Sequence, residues 1–330
     1  MIDIGYCPLP LLNFALANPS YTIIVKLKNW IMRIFLPLFC LVLVSCQSYS
    51  QNSAAGAIAS VDQKKFNDYW YAGEAELTSY ELQQARYGEI HEGHAVLVFV
   101  TEPFSASKQV KLDYPSRAGA DNVSVLKLNF TKKFLTGIYP YSMMQSTFTP
   151  VSYDKYPNTF KVTTSSQEWC GHTYLQLNLN KNNYALTGFS YFESEGDIQQ
   201  KLDKAFLEDE IWNKIRINPA SLPTGNIDML PGTFYLRLKH VAAGVLKVNA
   251  SLEAVSDGDF SADPHARYSL DYGTRKLAIF FEKDFPHRIL GWEESYNGLT
   301  TTARMKKSIK SPYWQKNNNS DRALRKELGL

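Results

Sequence analysis

The chain has 330 residues, of which 20% are charged and 45% are hydrophobic, a balance that excludes an intrinsically disordered chain and one embedded wholly in a membrane. Lys and Arg together number 35 and Asp and Glu together number 32, so the formal net charge of +3 excludes a strongly basic nucleic-acid-binding protein. Aromatic residues make up 13% of the chain and favour strands over helices.

The first pattern in chain order is an export signal. Arg33 precedes the apolar stretch 34–44, which is too short for a membrane-spanning helix of roughly 20 residues. The stretch ends in Leu43-Val44-Ser45-Cys46, which resembles the lipobox of bacterial lipoproteins. We therefore predict a signal peptide over 1–45 and lipidation of Cys46. The alternatives are an ordinary signal peptide and an uncleaved anchor.

The residues around this signal complete the predicted membrane attachment. Met32 is the predicted start, with 1–31 as a mis-called extension. Gln47 follows Cys46, and the absence of Asp at this position favours the outer membrane over the inner one. Residues 46–61 are rich in small and polar residues, as in a flexible tether. The predicted location is the bacterial cell envelope, with acyl chains on Cys46 holding the protein to the membrane.

The body of the chain reads as mainly β. Apolar residues alternate with polar ones in three places and run continuously in two others, a pattern typical of antiparallel strands: these are 126–130, 175–179, 236–238, 95–100 and 277–281. We expect antiparallel sheets or half-barrels. Candidate turns lie at Asn182-Asn183, Asp257-Gly258 and Tyr272-Gly273.

One amphipathic helix is predicted in the middle of the chain, over Asp197 to Ile217, because its apolar residues recur at a spacing of 3.6. The following segment, 218–232, is rich in Pro and Gly and marks a boundary. The sequence thus predicts an N-terminal β unit over 62–217, ending in the helix, and a C-terminal β unit over 218–330. A short helix is predicted over 322–328.

The densest polar cluster contains Glu168, Cys170 and His172. On a strand these alternate residues share one face, so an imidazole could activate the Cys170 thiol as a nucleophile while Glu168 orients the ring. Cys170 has no disulfide partner in the predicted mature chain, because Cys46 is lipidated. The alternative reading makes Cys170 a small buried hydrophobic residue and His172 a structural one.

Two further clusters are candidate sites. His91 and His94 lie in a predicted turn and could bind a zinc-type metal with Cys170 or His172, although no cofactor is expected. Four side chains that suit an apolar ligand pocket, or equally a packed core, are Tyr139, Tyr141, Met143 and Met144. The sequence holds no Walker loop, no G-x-S-x-G, no G-x-G-x-x-G and no C-x-x-C.

Four stretches carry a resemblance to a known family: Tyr69–Tyr80, Glu89–His94, Tyr139–Met144 and Ser165–His172. Together they resemble exported bacterial lipoproteins often labelled septum formation inhibitor Maf. The resemblance covers most of the mature chain and implies a lipobox and a β-rich body without assigned catalytic residues. Genuine Maf nucleotide pyrophosphatases carry a Ser-x-Arg-Arg motif, which is absent here, so nucleotide hydrolysis is not expected.

These patterns predict a lipid-anchored cell-envelope protein that acts as a non-enzymatic ligand-binding or envelope-maintenance module. Its expected partners are the membrane and a small apolar ligand or an envelope protein, and not nucleic acid. The alternatives are an envelope enzyme that uses Cys170 and His172, and a His/Cys metal site.

Overall fold

The computed structural model describes residues 62–330 except Asp257 and Asp259. The predicted signal peptide over 1–45, the tether over 46–61 with Cys46, and Asp257 of a predicted turn therefore lie outside the described residues.

The described part of the chain is mainly β, which confirms the predicted fold class. Its strands are β1 (Ala75–Arg86), β2 (Glu89–Ser105), β3 (Val110–Lys111), β4 (Asn122–Thr136), β5 (Tyr139–Pro150), β6 (Lys161–Glu168), β7 (Gly171–Leu179), β8 (Asn183–Ser190), β9 (Ile198–Asp203), β10 (Phe206–Leu207), β11 (Gly225–Leu230), β12 (Leu246–Val255), β13 (His265–Asp271), β14 (Arg275–Glu282), β15 (Ile289–Tyr296) and β16 (Leu299–Ser311). Its α-helices are α1 (Gln63–Trp70), α2 (Glu208–Ile217), α3 (Thr233–Lys239) and α4 (Ala323–Glu327). Short 3₁₀ turns lie at Pro115–Arg117, Gly119–Asp121, Pro219–Ser221, Tyr313–Gln315 and Asn319–Arg322.

All the described strands belong to one sheet. Its order is β10-β11-β12-β13-β14-β15-β16-β1-β2-β4-β5-β6-β7-β8-β9, with β3 added beside β2. Strands β1–β9 and β11–β16 are neighbouring parts of this sheet, because β1 and β16 pair antiparallel from Ala75 and Ser311 onward. The predicted unit 62–217 also contributes β10, which pairs with β11 at the far edge. Within the described residues no pairing joins β9 to β10, so the sheet is not closed.

Burial alternates along the strands as the sequence pattern predicts. In β4, Leu126, Leu128 and Phe130 are buried, whereas Lys127 and Asn129 between them are half-buried. This alternation arises because successive side chains of a strand point to opposite faces of the sheet. The predicted apolar strands at 95–100, 175–179 and 277–281 are confirmed in β2, β7 and β14.

The central helix is shorter than predicted. Only Glu208–Ile217 is helical, whereas Ile198–Asp203 forms β9 and pairs with β8. The prediction was wrong there because Ile198 and Leu202, four residues apart, fit a strand face as well as a helix face. The predicted strand at 236–238 was also wrong, because these residues lie in α3, where Leu236 and Leu238 are both buried.

Helix α2 lies inside the curve of the sheet, and all ten of its residues are buried. The Trp212 ring lies 5.1 Å from Phe130 of β4 and 5.3 Å from Trp292 of β15, measured between ring centroids. Contacts with two distant strands require the sheet to bend around the helix. Most of the helix charges are in ion pairs, such as Glu208 with Arg275 of β14, whereas Asp209 is held by hydrogen bonds alone.

Candidate ligand-binding site

A cavity of about 370 Å³ lies between α3, the segment that follows it, and strands β7, β8 and β9. A volume of this size falls in the range of small-molecule sites, roughly 300–1,000 Å³. The lining is mostly apolar and includes Leu175, Ile198, Leu236, Val241 and Ala243.

One glycine in the cavity floor leaves room for a side chain of the neighbouring strand. A Cβ atom at Gly188 of β8 would lie 2.8 Å from Cγ1 of Ile198, which is too close for two carbon atoms. Glycine therefore lets the Ile198 side chain of β9 pass over β8 and contribute to the cavity wall. Leu175 and Ala243 pack at the edge of a second apolar cluster beside the cavity, built around Val162 and Leu177.

Four polar residues form a connected cluster in the cavity wall, which we call the mouth cluster: Ser190, Glu195, Arg237 and His240. Arg237 Nη1 donates to Glu195 Oε1 at 2.8 Å, and Ser190 Oγ donates to Glu195 Oε2 at 2.7 Å. His240 Nδ1 lies 2.5 Å from Glu195 Oε1. The cluster thus joins the loop after β8 to the end of α3.

The neighbours of His240 assign the roles of its ring nitrogens. Nδ1 lies 2.5 Å from the Glu195 carboxylate, which only accepts, and 3.1 Å from Arg237 Nη1, which only donates. The shorter contact makes Nδ1–H the donor to Glu195. Nε2 lies 3.4 Å from Arg86 Nη2, which only donates, so Nε2 is the acceptor. His240 has a left-handed backbone with φ of 53°, and α3 ends at this residue.

The Glu195 carboxylate is ionised and held in place. Burial would raise the pKa of Glu195, but the hydrogen bonds from Ser190 and His240 and the charge of Arg237 outweigh it, so the pKa lies below its ordinary value. Arg237 is 10% exposed, and its Nε has no hydrogen-bond partner. Its guanidinium carbon lies 4.7 Å from the ring centre of Phe192. A buried donor without a partner is rare in proteins.

Glu168, Cys170 and His172 do not share a strand face, so that prediction was wrong. Glu168 ends β6 and Gly171 begins β7, and these two residues pair, which places Trp169 and Cys170 in a two-residue hairpin turn. A turn reverses the chain, and the alternation of a single strand does not continue through it. His172 is exposed and lies opposite Gln167 in β6.

The geometry around Cys170 does not make its thiol a nucleophile. Cys170 is exposed, which also excludes the alternative that it is a buried hydrophobic residue. The Glu168 carboxylate accepts a hydrogen bond from the Cys170 backbone N–H at 2.6 Å. A hydrogen bond between the thiol and this carboxylate, together with desolvation, raises the pKa of Cys170, whereas activation requires a lowered pKa.

His91 and His94 lie in β2 and not in a turn, which corrects the prediction. The turn lies earlier, at Tyr87 and Gly88, both of which have positive φ as a two-residue hairpin requires. Residues three positions apart on a strand point to opposite faces, so His91 and His94 do not converge. His91 Nε2 contacts the Arg86 carbonyl oxygen at 3.0 Å. Residues 62–330, as far as described, contain no cluster of three or more His, Cys, Asp or Glu suited to a metal ion.

The predicted pocket residues of β5 are divided between the two faces of the sheet. Tyr141 and Met143 are buried and belong to the main apolar core, and Tyr139 packs against it. Met144 lies on the other face and is exposed. The four residues therefore do not line one pocket.

Sequence reasoning missed the mouth cluster. Arg237 and His240 are three residues apart and become neighbours only because α3 is a helix, whereas a strand was predicted there. Glu195 approaches them from a loop about 40 residues earlier in the chain, and no local pattern signals that contact.

Comparisons with known proteins give a distant structural likeness and no match by sequence. No family model matches the chain, and no curated protein matches it. Among solved structures, the crystal structure of a beta-barrel-like protein of a domain of unknown function (DUF1849) from Brucella abortus is similar, with a TM-score of 0.43 and 10% sequence identity. The match covers 72% of this chain and 97% of that one. No helix in the described part of the chain combines the length and the apolar character needed to cross a membrane.

Proposed function

We propose that the protein is a lipid-anchored module of the cell envelope that binds a small amphipathic molecule without chemically converting it. The site is the cavity between α3 and strands β7–β9. The observation that carries the proposal is the combination, in one cavity of about 370 Å³, of a mostly apolar lining with the charged mouth cluster. Sites of this composition bind ligands through an apolar body and a few fixed polar contacts.

The apolar part of the cavity favours a hydrocarbon portion of the ligand. Leu175, Ile198 and Ala243 carry no hydrogen-bonding side-chain groups, so they offer only apolar surface to a bound molecule. Removing apolar surface from water contributes a favourable free energy of about 25 cal/mol per Å². This contribution is enough to hold an acyl chain or ring system of matching size.

The mouth cluster favours a head group with acceptor oxygens. Arg237 brings a guanidinium whose Nε–H has no hydrogen-bond partner, whereas the Nδ1–H of the neighbouring His240 is already bonded to Glu195. An oxygen acceptor such as a carboxylate satisfies donors of this kind. The membrane attachment of the proposal rests on the Leu43-Val44-Ser45-Cys46 pattern in the sequence.

A cavity-filling variant tests this proposal. The purified full chain is titrated with a fluorescent fatty acid and with anilinonaphthalene sulfonate. Ala243→Leu adds a larger apolar side chain inside the cavity, whereas the control Ala220→Leu adds it at an exposed position. We expect saturable binding by the wild type and by Ala220→Leu, and at least about tenfold weaker binding by Ala243→Leu. A tenfold change corresponds to a loss of about 1.4 kcal/mol in binding free energy, the size of one buried apolar contact. Absence of binding by the wild type, or equal binding by all three proteins, would overturn the proposal.

A further inference from the structure

Aromatic residues of four successive connections lie side by side at one end of the sheet. The turns β1–β2, β4–β5 and β6–β7 lie at this end, because the closing pairs Arg86–Glu89, Thr136–Tyr139 and Glu168–Gly171 belong to neighbouring antiparallel hairpins. The loop between β8 and β9 follows at the same end. We use the name aromatic arc for four residues at these connections, Tyr87, Tyr139, Trp169 and Tyr191, of which Tyr139 is the first residue of β5.

The aromatic arc is continuous along this end. The hydroxyl of Tyr139 lies 3.4 Å from that of Tyr87, and its ring centroid lies 6.4 Å from that of Trp169. Tyr191 lies over the β6–β7 turn, where a Cβ atom added to Gly171 would be 2.7 Å from its ring. The arc therefore spans four successive connections as one surface.

Three of the four arc residues are exposed although their rings are largely apolar. Tyr87 is 60% exposed and Trp169 and Tyr191 are each 69% exposed, whereas Tyr139 is partly buried. Ile138 in the β4–β5 turn is 80% exposed. Contiguous exposed apolar surface of this kind indicates a binding surface. Exposed side chains close to the arc carry both charge signs, as Glu89 and Lys133 do, so the surface does not select a highly charged partner.

The arc adjoins the cavity of the proposed function. Tyr191 is followed by Phe192, whose ring lies 5.6 Å from that of His240 in the mouth cluster. A partner that covers the arc therefore covers the surface beside the mouth cluster as well.

We propose that the aromatic arc docks the protein onto the headgroup region of a lipid bilayer, so that the mouth cluster faces the lipid. Trp and Tyr combine an apolar ring with a polar atom and accumulate at membrane interfaces for that reason. This inference rests on the envelope location in the proposed function, but it does not depend on ligand binding in the cavity.

The length of chain before α1 permits this contact. Cys46 and Asp62 are 16 positions apart, and a chain of that length reaches at most about 55 Å. Helix α1 precedes Ala75, which starts β1 at the end of the sheet opposite the arc. Because β1 has 12 residues, it spans about 40 Å. A lipid at Cys46 and the arc can therefore reach the same bilayer.

Cys170 supplies a reporter beside Trp169. The processed, lipid-bearing protein, in which Cys46 carries the predicted lipid and Cys170 is the remaining cysteine, is labelled at the exposed Cys170 with a nitrobenzoxadiazole fluorophore. Peptide mass spectrometry verifies the lipid on Cys46 and the labelled residue. The protein is mixed with phosphatidylcholine vesicles that contain nitroxide-bearing lipid. A control in the same background carries Cys170→Ser and Asn182→Cys, which moves the label to the exposed β7–β8 turn at the opposite end of the sheet.

We expect nitroxide lipid to quench the label at Cys170 and not the label at residue 182. Trp169→Ser with Tyr191→Ser is expected to lower the docked fraction about tenfold, since two buried rings are lost. The matched control Tyr114→Ser with Trp314→Ser, which removes two exposed rings from the other end, is expected to leave docking unchanged.

Three results would overturn the docking proposal: no quenching at either label while the protein sediments with the vesicles, equal quenching at both labels, and absence of the protein from the vesicle pellet. The fatty-acid titration of the same preparations is read separately. Normal titration without quenching contradicts docking alone, and quenching without ligand binding contradicts the proposed function alone.

Discussion

Arg216 of α2 forms a two-bond ion pair with Glu76 of β1, although 140 positions separate them in the chain. Nη1 lies 2.5 Å from Oε1, and Nη2 lies 2.6 Å from Oε2. Burial would raise the pKa of Glu76, but the Arg216 charge and its hydrogen bonds outweigh this effect, so the pKa is lowered. The pair thus fixes the central helix to the strand that joins the two parts of the sheet.

Removal of one partner of this pair is predicted to destabilise the protein strongly. Glu76→Gln leaves the Arg216 guanidinium, 1% exposed, without a counter-charge. The expected loss is about 3–5 kcal/mol in the free energy of unfolding, measured by urea denaturation of the full chain. The double variant Glu76→Leu with Arg216→Met removes both charges and is expected to recover part of this loss. A single variant as stable as the wild type would contradict the assigned role of the pair.

Asp209 is predicted to make stability fall as the pH rises towards neutrality. Burial, with a contribution from the charge of Glu208, raises the pKa of Asp209 to about 7, above the ordinary value of about 3.9 in an unfolded chain. Between these two values the folded state binds more protons than the unfolded state, so this contribution to stability is present below about pH 4 and is lost as the pH passes 7.

Asp209→Asn isolates this effect. The carboxylate accepts bonds from the Thr233 backbone N–H and the Gln145 amide, and an amide oxygen can accept both. We expect the stability of the variant relative to the wild type to increase between pH 4.5 and pH 8, as measured by urea unfolding at each pH. A constant difference between the two proteins across this range would contradict the raised pKa.

Arg237→Met is predicted to weaken binding of an acid more than binding of its ester. Methionine keeps the contact with the Phe192 ring but removes the donors next to the cavity. A hydrogen bond to a charged group contributes about 1.5–3 kcal/mol to binding. We therefore expect the affinity for a fatty acid to fall at least about tenfold. Titration with the fatty acid and its methyl ester measures the difference.

A matched control exists for this variant. Arg117 also lies over an aromatic ring, with its guanidinium carbon 4.8 Å from the ring centre of Tyr114, but it is not part of the cavity. Arg117→Met should bind both ligands as the wild type does. Equal losses for acid and ester in Arg237→Met would mean that Arg237 contributes to packing and not to head-group recognition.

Cys170 is predicted to react slowly with alkylating agents at neutral pH. Its thiol is exposed, but the adjacent Glu168 carboxylate raises its pKa, and only the thiolate reacts. Glu168→Gln removes this negative charge and should increase the rate of iodoacetamide modification at pH 7.5 by several-fold. The rates are measured as a function of pH on the processed protein, and peptide mass spectrometry assigns the modification to Cys170. Rapid modification of the wild type at pH 7 would contradict the raised pKa and support Cys170 as a nucleophile.

The sequence predicted the strands well because burial on one face of a sheet leaves a local signal. Leu126, Leu128 and Phe130 alternate with polar residues, and this pattern alone identifies β4. The extent of the central helix was harder to predict, because Ile198 and Leu202 suit either a helix or a strand. Pairing with β8 determines that they form a strand, and this is a contact between distant parts of the structure.

The candidate site was less predictable than the fold. A hairpin turn separates Glu168 from His172, so Glu168, Cys170 and His172 do not lie on one strand. The alternation of side chains along β2 places His91 and His94 on opposite faces. The mouth cluster joins residues of a loop and a helix that no sequence spacing connects. Sites of this kind form from tertiary contacts, so their residues can be identified only from the folded structure.

The most direct test of ligand binding in the cavity is native mass spectrometry of the full chain purified from bacterial membranes, with Ala243→Leu and Ala220→Leu prepared in parallel. We predict one non-covalently bound amphipathic molecule per chain in the wild type and in Ala220→Leu, and its loss in Ala243→Leu. An unliganded wild type, or a bound molecule that persists in Ala243→Leu, would contradict the account.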